Sequence, residues 1–216
     1  MNLEMARHNM IEQQIRPWDV LDQRILDLIE STPREAFVPP AYRELAFADT
    51  SIPLAEGQVM MPPKLEARML QSLDPETQES ALEIGTGSAY VTALLGRSSR
   101  QVLSIDCFPV FIEQAETRLR EQGINNVDLQ HQDLFSWETD QLFDVIAVTG
   151  SLPLDYPRLR EMLRVGGRLF TIVGEAPVME ARLITRRADE EWSQEDLFET
   201  DLPALINAPQ KERFIF

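Results

Sequence analysis

The sequence predicts an α/β fold, a doubly wound and mostly parallel sheet with an antiparallel edge strand and an N-terminal helical cap. Three apolar runs support this prediction. The first ends at Gly85 and Gly87, and a helical pattern begins at Tyr90. The second ends at Asp106, 19 residues beyond Gly87. The third, Phe143 to Thr149, is almost continuously apolar, as expected of a central strand that is buried on both faces.

Length and composition indicate a globular protein. The chain has 216 residues, of which 44% are hydrophobic, enough for one domain with a full core. We expect an N-terminal helical or cap region over residues 1–78, packed on a core over residues 79–216 that ends in a C-terminal extension. Repeats and low-complexity linkers are not evident in the sequence.

Charge and residue usage exclude several classes of protein. The formal net charge of -16 disfavours binding to nucleic acid, which would be repelled. Apolar runs stay well below the ~18 residues of a membrane span, and the N-terminus is too polar for a secretory signal. With one cysteine, Cys107, and two histidines, neither a disulfide framework nor a metal site is expected. We therefore expect a cytoplasmic protein without metal, whose oligomeric state the sequence does not indicate.

The N-terminal third is predicted to be helical and irregular. Apolar spacing over 11–29, interrupted by Pro17, predicts two short helices. A proline-rich stretch over 34–49 is expected to form an irregular cap, and the pattern over 64–73 predicts a helix.

The paired glycines predict a ligand at the end of the first core strand. Gly85 and Gly87 allow a tight turn and close approach of a ligand, and Glu83 can accept hydrogen bonds from it. A dinucleotide fingerprint needs a small residue at position 90, where this chain has Tyr90. NAD therefore fits poorly, and a nucleoside without phosphate fits better. A glycine turn in another kind of α/β protein is the alternative.

The ends of the following strands add candidate ligand groups. Asp106, at the end of the second strand, is placed to bind ribose hydroxyls or, alternatively, to cap the helix near Pro109. Cys107 is expected to line the pocket rather than to act as a nucleophile, because no basic partner is nearby. Asp133 follows a third strand over 127–132. Thr149 to Ser151 are candidate substrate-pocket groups, with a helix cap as the alternative for Ser151.

The C-terminal third is expected to finish the sheet. Leu159, Met162 and Leu163 predict a helix before a strand over 168–173, and alternation over 181–185 predicts an exposed antiparallel strand. The acidic stretch over 188–201 is interpreted as a solvated surface segment anchored by a few apolar side chains. Residues 212–216 are a candidate edge strand.

Two groups of motifs resemble known families. Residues 83–89, with Ala89 at the usual third glycine, resemble the first motif of S-adenosylmethionine (SAM) methyltransferases. The order of Val20-Leu21, PREAFVP at 33–39, Ala48-Asp49 and Gly57-Gln58 is similar to the N-terminal region of protein-L-isoaspartate O-methyltransferases. The resemblance covers roughly residues 10–185. It implies a Rossmann-like fold and SAM-dependent methyl transfer to the carboxylate of an isoaspartyl residue in a damaged protein or peptide.

The resemblance also implies a set of cofactor-binding residues. In the family, an acid after the third strand contacts adenine, which places Asp133 at the cofactor, although Leu134 replaces the usual glycine. Together with the residues discussed above, the candidates for cofactor binding are Glu83, Gly85, Thr86, Gly87, Asp106, Cys107, Asp133 and Leu134.

The chain departs from the family at the acceptor side. Val59 and Met61 stand where the family has threonine and serine, and neither side chain donates a hydrogen bond. Met61, Lys64 and Thr149 are the candidates for positioning the substrate, although Met61 as core filling and Lys64 as a solvated charge are open alternatives. Other interpretations are a different acceptor, including a small molecule, a SAM-binding protein that has lost transfer, and, more remotely, an NAD oxidoreductase.

Overall fold

The computed structural model describes residues 3–210. Within this range, nine strands form two sheets. A two-stranded ribbon pairs β1 with β2, and a seven-stranded sheet has the order β5-β4-β3-β6-β7-β8-β9. The strands are β1 Ile52–Pro53, β2 Val59–Met60, β3 Ser80–Ile84, β4 Gln101–Asp106, β5 Val127–His131, β6 Phe143–Leu152, β7 Leu163–Glu175, β8 Val178–Ala188 and β9 Glu191–Thr200. The strands from β5 to β7 pair in parallel, and β8 and β9 are antiparallel. The predicted Rossmann-like fold is confirmed.

Helices pack against this sheet. They are α1 Leu3–Met10, α2 Gln23–Ser31, α3 Pro63–Leu73, α4 Tyr90–Ser98, α5 Pro109–Glu121 and α6 Pro157–Glu161. A π-helical turn and a 3-10 turn follow α1, and Pro17 lies where this helical stretch ends, as the sequence predicts. Asp22 caps α2 by accepting a hydrogen bond from the Arg24 amide at 2.8 Å. The predicted irregular cap contains two further 3-10 helices, Arg34–Ala36 and Pro40–Leu45.

The strand order creates a crevice beside β3. The chain runs from β3 through β4 to β5 on one side, and then crosses to β6 on the other side. Loops from the carboxyl ends of β3 and β6 therefore leave in opposite directions. Such a topological switch point is where open α/β sheets bind their ligands.

A bulge shapes the carboxyl end of β6. Ala147 pairs with Phe170 and Ser151 pairs with Ile172, so three residues of β6 lie opposite one residue of β7. Thr149 and Gly150 belong to these three residues and leave the regular ladder. Bulges redirect side chains in this way next to binding sites.

The antiparallel strand expected over 181–185 lies within β8. Two other details of the C-terminal third correct the predictions. Helix α6 ends at Glu161, and Leu163 already belongs to β7, because its backbone pairs with Phe143. The acidic stretch expected at the surface forms the edge strand β9. The candidate strand over 212–216 lies outside the described residues.

The apolar side chains form two clusters on the two faces of the sheet. The larger cluster contains Ile25, Phe37 and Leu70 of the N-terminal region together with Leu94 and Phe170 of the core. The N-terminal region therefore shares its buried surface with the core, and the boundary between residues 78 and 79 stays a prediction. Within residues 3–210, no helix has the length and apolar character needed to cross a membrane.

Candidate functional site

A cavity of about 690 Å³, counting its solvent-open part, lies at the carboxyl ends of β3, β4 and β6. Seven of the predicted site residues line it, namely Gly85, Gly87, Asp106, Cys107, Asp133, Leu134 and Thr149. Its apolar lining includes Ile84, Ile105, Phe108, Phe111 and Phe135. The cavity thus combines aromatic and aliphatic walls with two carboxylates.

The glycine loop is held tightly at Gly85. Its backbone has φ +99°, and its amide donates to the carbonyl of Ile105 at 2.9 Å. The Thr149 hydroxyl donates to the carbonyl of Gly85 at 2.6 Å. A Cβ at position 85 would overlap this hydroxyl. Only glycine therefore fits both the backbone angle and the space.

Asp106 lines the cavity and is 7% exposed. Its Oδ2 accepts from the Gly87 amide at 3.0 Å, and its Oδ1 accepts from the Phe108 amide at 2.9 Å. Burial raises the pKa of Asp106, and these amides oppose the rise. Each carboxylate oxygen has two lone pairs, so each can still accept a hydrogen bond from a ligand.

Two other predicted residues line the same cavity after β4 and β5. Asp133 accepts from the Phe135 amide at 3.0 Å and from the side-chain amide of Asn207 at 2.7 Å. Burial raises the pKa of Cys107 to about 11, helped by the charges of Asp106 and Asp133. The thiol is therefore protonated at neutral pH, which agrees with the prediction that Cys107 is not a nucleophile.

The cavity has one wall that the sequence analysis missed, a segment that we call the strap (residues 202–207). The Ser151 amide donates to the Pro203 carbonyl, and the Leu205 amide donates to the Ser151 carbonyl, both at 2.9 Å. The Ser151 hydroxyl donates to the Leu202 carbonyl at 2.7 Å. Ser151 is thus neither a pocket group nor a helix cap. A Cβ at Gly150 would lie 2.7 Å from Leu205 Cδ2, so this glycine lets the strap approach.

The structure does not bring Glu83 to the cavity. The side chain is 0% exposed, and its Oε2 accepts from the Thr92 hydroxyl at 2.5 Å and from the Ser104 hydroxyl at 2.6 Å. Thr86 is buried as well and bonds to Ser104 at 2.6 Å. Glu83 and Thr86 therefore brace the glycine loop from beneath instead of facing a ligand.

Glu83 should make the stability of the fold depend on pH. Burial raises the pKa of Glu83 from 4.5 to about 8, while the Ser104 and Thr92 hydroxyls oppose the rise. Between these values the folded chain keeps a proton that the unfolded chain has released, so the free energy of unfolding falls as the pH rises and levels off above about 8. Glu83→Gln removes this dependence. We expect its stability relative to wild type to increase with pH, by up to about 1.4 kcal/mol per pH unit.

Chemical unfolding at pH 5, 6, 7, 8 and 9 tests this expectation. Glu116→Gln, at an exposed position of α5, is the matched control and should follow the wild-type profile. Parallel profiles for wild type and Glu83→Gln would contradict a buried, titrating Glu83.

Two of the predicted substrate-positioning residues lie away from the cavity. Met61 is 3% exposed and belongs to the larger apolar cluster, where it fills space because its side chain is apolar and flexible. Lys64 forms an ion pair with Asp49 at 2.7 Å, and its Nζ lies 4.3 Å from the centre of the Trp18 ring. Among residues 57–64, Gln58 and Val59 line the cavity, and Met61 and Lys64 do not.

Metal ligation has no candidate in the described part of the chain. Among residues 3–210, His, Cys, Asp and Glu side chains form no group of three or more that could hold a metal ion.

Comparison with known proteins gives a family. The family model described as protein-L-isoaspartate(D-aspartate) O-methyltransferase matches residues 5–207. A protein-L-isoaspartate O-methyltransferase from Brucella anthropi is 33% identical over 198 residues, 91% of each chain. A protein of the same name from Syntrophus aciditrophicus is 36% identical over 189 residues, 87% of this chain and 86% of the relative.

Solved structures share the fold. A Plasmodium falciparum protein described as a protein-L-isoaspartate O-methyltransferase, in complex with S-adenosyl-L-homocysteine, superposes with a TM-score of 0.79 at 17% identity and covers 95% of this chain and 98% of that chain. A second protein-L-isoaspartate O-methyltransferase superposes with a TM-score of 0.74 at 21% identity and covers 92% of this chain and 65% of that chain. At these identities the similarity concerns the fold.

Proposed function

Because the chain belongs to the protein-L-isoaspartate(D-aspartate) O-methyltransferase family, we propose that its cavity holds SAM and an isoaspartyl carboxylate together. The chain is a SAM-dependent methyltransferase of this family. The observation that carries the proposal is the cavity itself, where the glycine loop, Asp106 and Asp133 meet at the switch point of the sheet.

The cavity residues fit SAM. The close packing at Gly85 leaves backbone rather than side chains to face a ligand, and the aromatic and aliphatic lining suits the faces of a purine. We propose that Asp106 accepts hydrogen bonds from the ribose hydroxyls and that Asp133, with Leu134 beside it, contacts adenine. Two carboxylates also favour a ligand with positive charge. When bound, SAM supplies an activated methyl group on a sulfonium.

The task of the protein residues is to place and dehydrate the acceptor. An acceptor carboxylate is ionised near neutral pH, so the chain needs no strong general base. Orientation and exclusion of water then provide the rate enhancement. We propose that Gln58, Val59 and Thr149, which line the cavity, form the acceptor side. Lys64 is not part of this proposal, because Asp49 already pairs with it.

The test compares two peptides that differ only in the linkage of one aspartate. Purified protein is incubated with methyl-labelled SAM and either an isoaspartyl peptide or its aspartyl twin. We expect label only in the isoaspartyl peptide, as a base-labile ester. If the protein binds SAM but labels neither peptide nor any other compound, the lost-transfer alternative is favoured. If it labels neither peptide but does label another compound with a carboxylate, a different acceptor is favoured.

Met61→Ser tests whether the missing hydroxyl at position 61 limits transfer. Because Met61 is buried in the core, serine leaves a cavity there and buries a hydroxyl. We expect the free energy of unfolding to fall by about 2 to 5 kcal/mol and transfer per folded molecule not to rise. Val59→Thr, at the partly exposed cavity wall, is the comparison variant and should lower stability by less than Met61→Ser does, because no cavity opens in the core. A gain in transfer from Met61→Ser would show that position 61 reaches the acceptor.

Two further expectations rest on composition. A cytoplasmic location stays a prediction from the short apolar runs, and the exclusion of nucleic acid stays a prediction from the net charge of -16. The damaged protein or peptide is the proposed partner.

A further inference from the structure

Arg34 is a buried arginine to which the reaction described above gives no role. It belongs to the PREAFVP motif at 33–39 and is 1% exposed. Its guanidinium donates three hydrogen bonds, from Nε to the Ala46 carbonyl at 2.9 Å, from Nη1 to Glu66 Oε2 at 2.8 Å and from Nη2 to the Met61 carbonyl at 2.7 Å. The arginine thus joins three separate stretches of the N-terminal region.

These contacts make Arg34 a rigid connector. A buried guanidinium is costly unless its donors are paired, and here three of them are paired with buried acceptors. The guanidinium carbon also lies 5.1 Å from the centre of the Tyr90 ring, at the start of α4. Because the guanidinium is planar, its bonds fix the angles between Glu66 and the Met61 carbonyl. A lysine ammonium keeps the charge but not this fork.

The segment that Arg34 holds is part of the cavity wall. Met61 directly follows β2, and Gln58 and Val59, at the other end of this short segment, line the cavity. The ribbon of β1 and β2 has only two residues in each strand, which is too little to fix its own position. The bond from Arg34 to the Met61 carbonyl therefore anchors the wall to the core.

We propose that Arg34 is a positioning residue for the methyl acceptor. It holds residues 58–61 in place through a hydrogen bond to the backbone carbonyl of Met61. The side chains of Val59 and Met61 carry no hydroxyl that could position the acceptor instead. The inference rests on the proposed function for the identity of the acceptor. The two carboxylates of the cofactor side are held by other contacts, because Asp106 accepts from the amides of Gly87 and Phe108 and Asp133 accepts from the amide of Phe135.

Arg34→Lys separates the two sides of the cavity. The variant keeps a positive charge opposite Glu66 and loses the fork. We expect the KM for the isoaspartyl peptide to rise at least fivefold, while the affinity for S-adenosylhomocysteine, measured by calorimetry, stays within twofold of wild type. Amide hydrogen exchange over residues 58–61 should become faster, which reports on the wall without any turnover.

Arg168→Lys is the matched control. Arg168 also donates to two carbonyls, those of Leu73 and Asp74, and to a carboxylate, that of Glu79. These contacts lie at the amino-terminal edge of the sheet, away from the cavity. The control should lower the unfolding midpoint without changing the peptide KM or the exchange of residues 58–61. Equal KM changes in both variants, or none in Arg34→Lys, would overturn the inference.

A second variant covers the case in which Arg34→Lys does not fold. Arg34→Met combined with Glu66→Leu replaces the buried pair by apolar side chains, an exchange that proteins often tolerate. It removes the bond to Met61 and should give the same rise in KM and the same faster exchange.

If wild type does not label the isoaspartyl peptide but the exchange difference is present, the proposed acceptor is wrong and the anchoring is right. If wild type labels the peptide and the exchange is unchanged, the anchoring is wrong.

Discussion

Gly85→Ala is expected to weaken the binding of S-adenosylhomocysteine by more than about tenfold and to lower the free energy of unfolding by about 2 to 4 kcal/mol. The backbone at position 85 has φ +99°, where an alanine is strained. The added Cβ also overlaps the Thr149 hydroxyl, which holds the Gly85 and Ile84 carbonyls. Both the loop and the bulge of β6 must therefore move. Calorimetric titration and chemical unfolding measure the two effects.

Gly166→Ala separates backbone strain from the overlap. Gly166 has φ +86°, and a Cβ added there would point into open space, with nothing within 4 Å, so alanine adds strain alone. We expect it to lower stability by about 1 to 3 kcal/mol and to leave the affinity for S-adenosylhomocysteine unchanged. If Gly85→Ala behaves like Gly166→Ala in both measurements, the close approach at Thr149 has no part in ligand binding.

Asp106→Ala is expected to weaken the binding of SAM and S-adenosylhomocysteine by about 1 to 3 kcal/mol, or roughly 5- to 150-fold. If Asp106 binds the ribose as proposed, the alanine leaves the ribose hydroxyls unpaired. It also removes the acceptor of the Gly87 amide, which in the wild-type protein donates to Asp106 at 3.0 Å. Removing a carboxylate also makes the cavity less favourable for a cation. Calorimetry with both ligands measures the loss.

The control for Asp106→Ala removes a negative charge elsewhere. Asp128, an exposed residue of the neighbouring strand β5, serves this purpose, and Asp128→Ala should leave the affinity within about twofold of wild type. Equal affinities for wild type and Asp106→Ala would show that the ribose assignment is wrong.

The parallel half of the fold was predictable because its signals are local. The strands β3, β4 and β6 are apolar runs, and β5 alternates between apolar and polar residues. Gly85, Asp106 and Asp133 lie at or just beyond the ends of β3, β4 and β5. The carboxyl ends of parallel strands share one edge, so side chains that follow them come together without further information.

Glu83 shows why the position of a carboxylate at a strand end is insufficient. Successive side chains of a strand point to opposite faces, and the face that Glu83 takes carries Thr92 of α4. Only the packing of α4 decides that a hydroxyl meets the acid there. The prediction for Glu83 was therefore right about its place along the chain and wrong about its direction.

The edge strand β9 lacked the alternation by which strands are recognised. Ala181 pairs with Phe198 and Arg182 pairs with Asp196, so Leu197 is an extra residue and the alternation breaks. Its many acids are typical of an edge strand, where charges discourage pairing with other chains. Acidic composition and broken periodicity together indicated a surface segment instead of a strand.

The strap has a consequence for the biosynthesis of the enzyme. Its contacts to Ser151 and Asp133 join residues more than fifty positions apart, and they close a wall of the cavity. During translation, β3 and β4 emerge long before residues 202–207 leave the ribosome. A nascent or prematurely terminated chain that lacks these residues lacks this wall of the cavity, so the ability to exclude water arrives only after residues 202–207 have been synthesised.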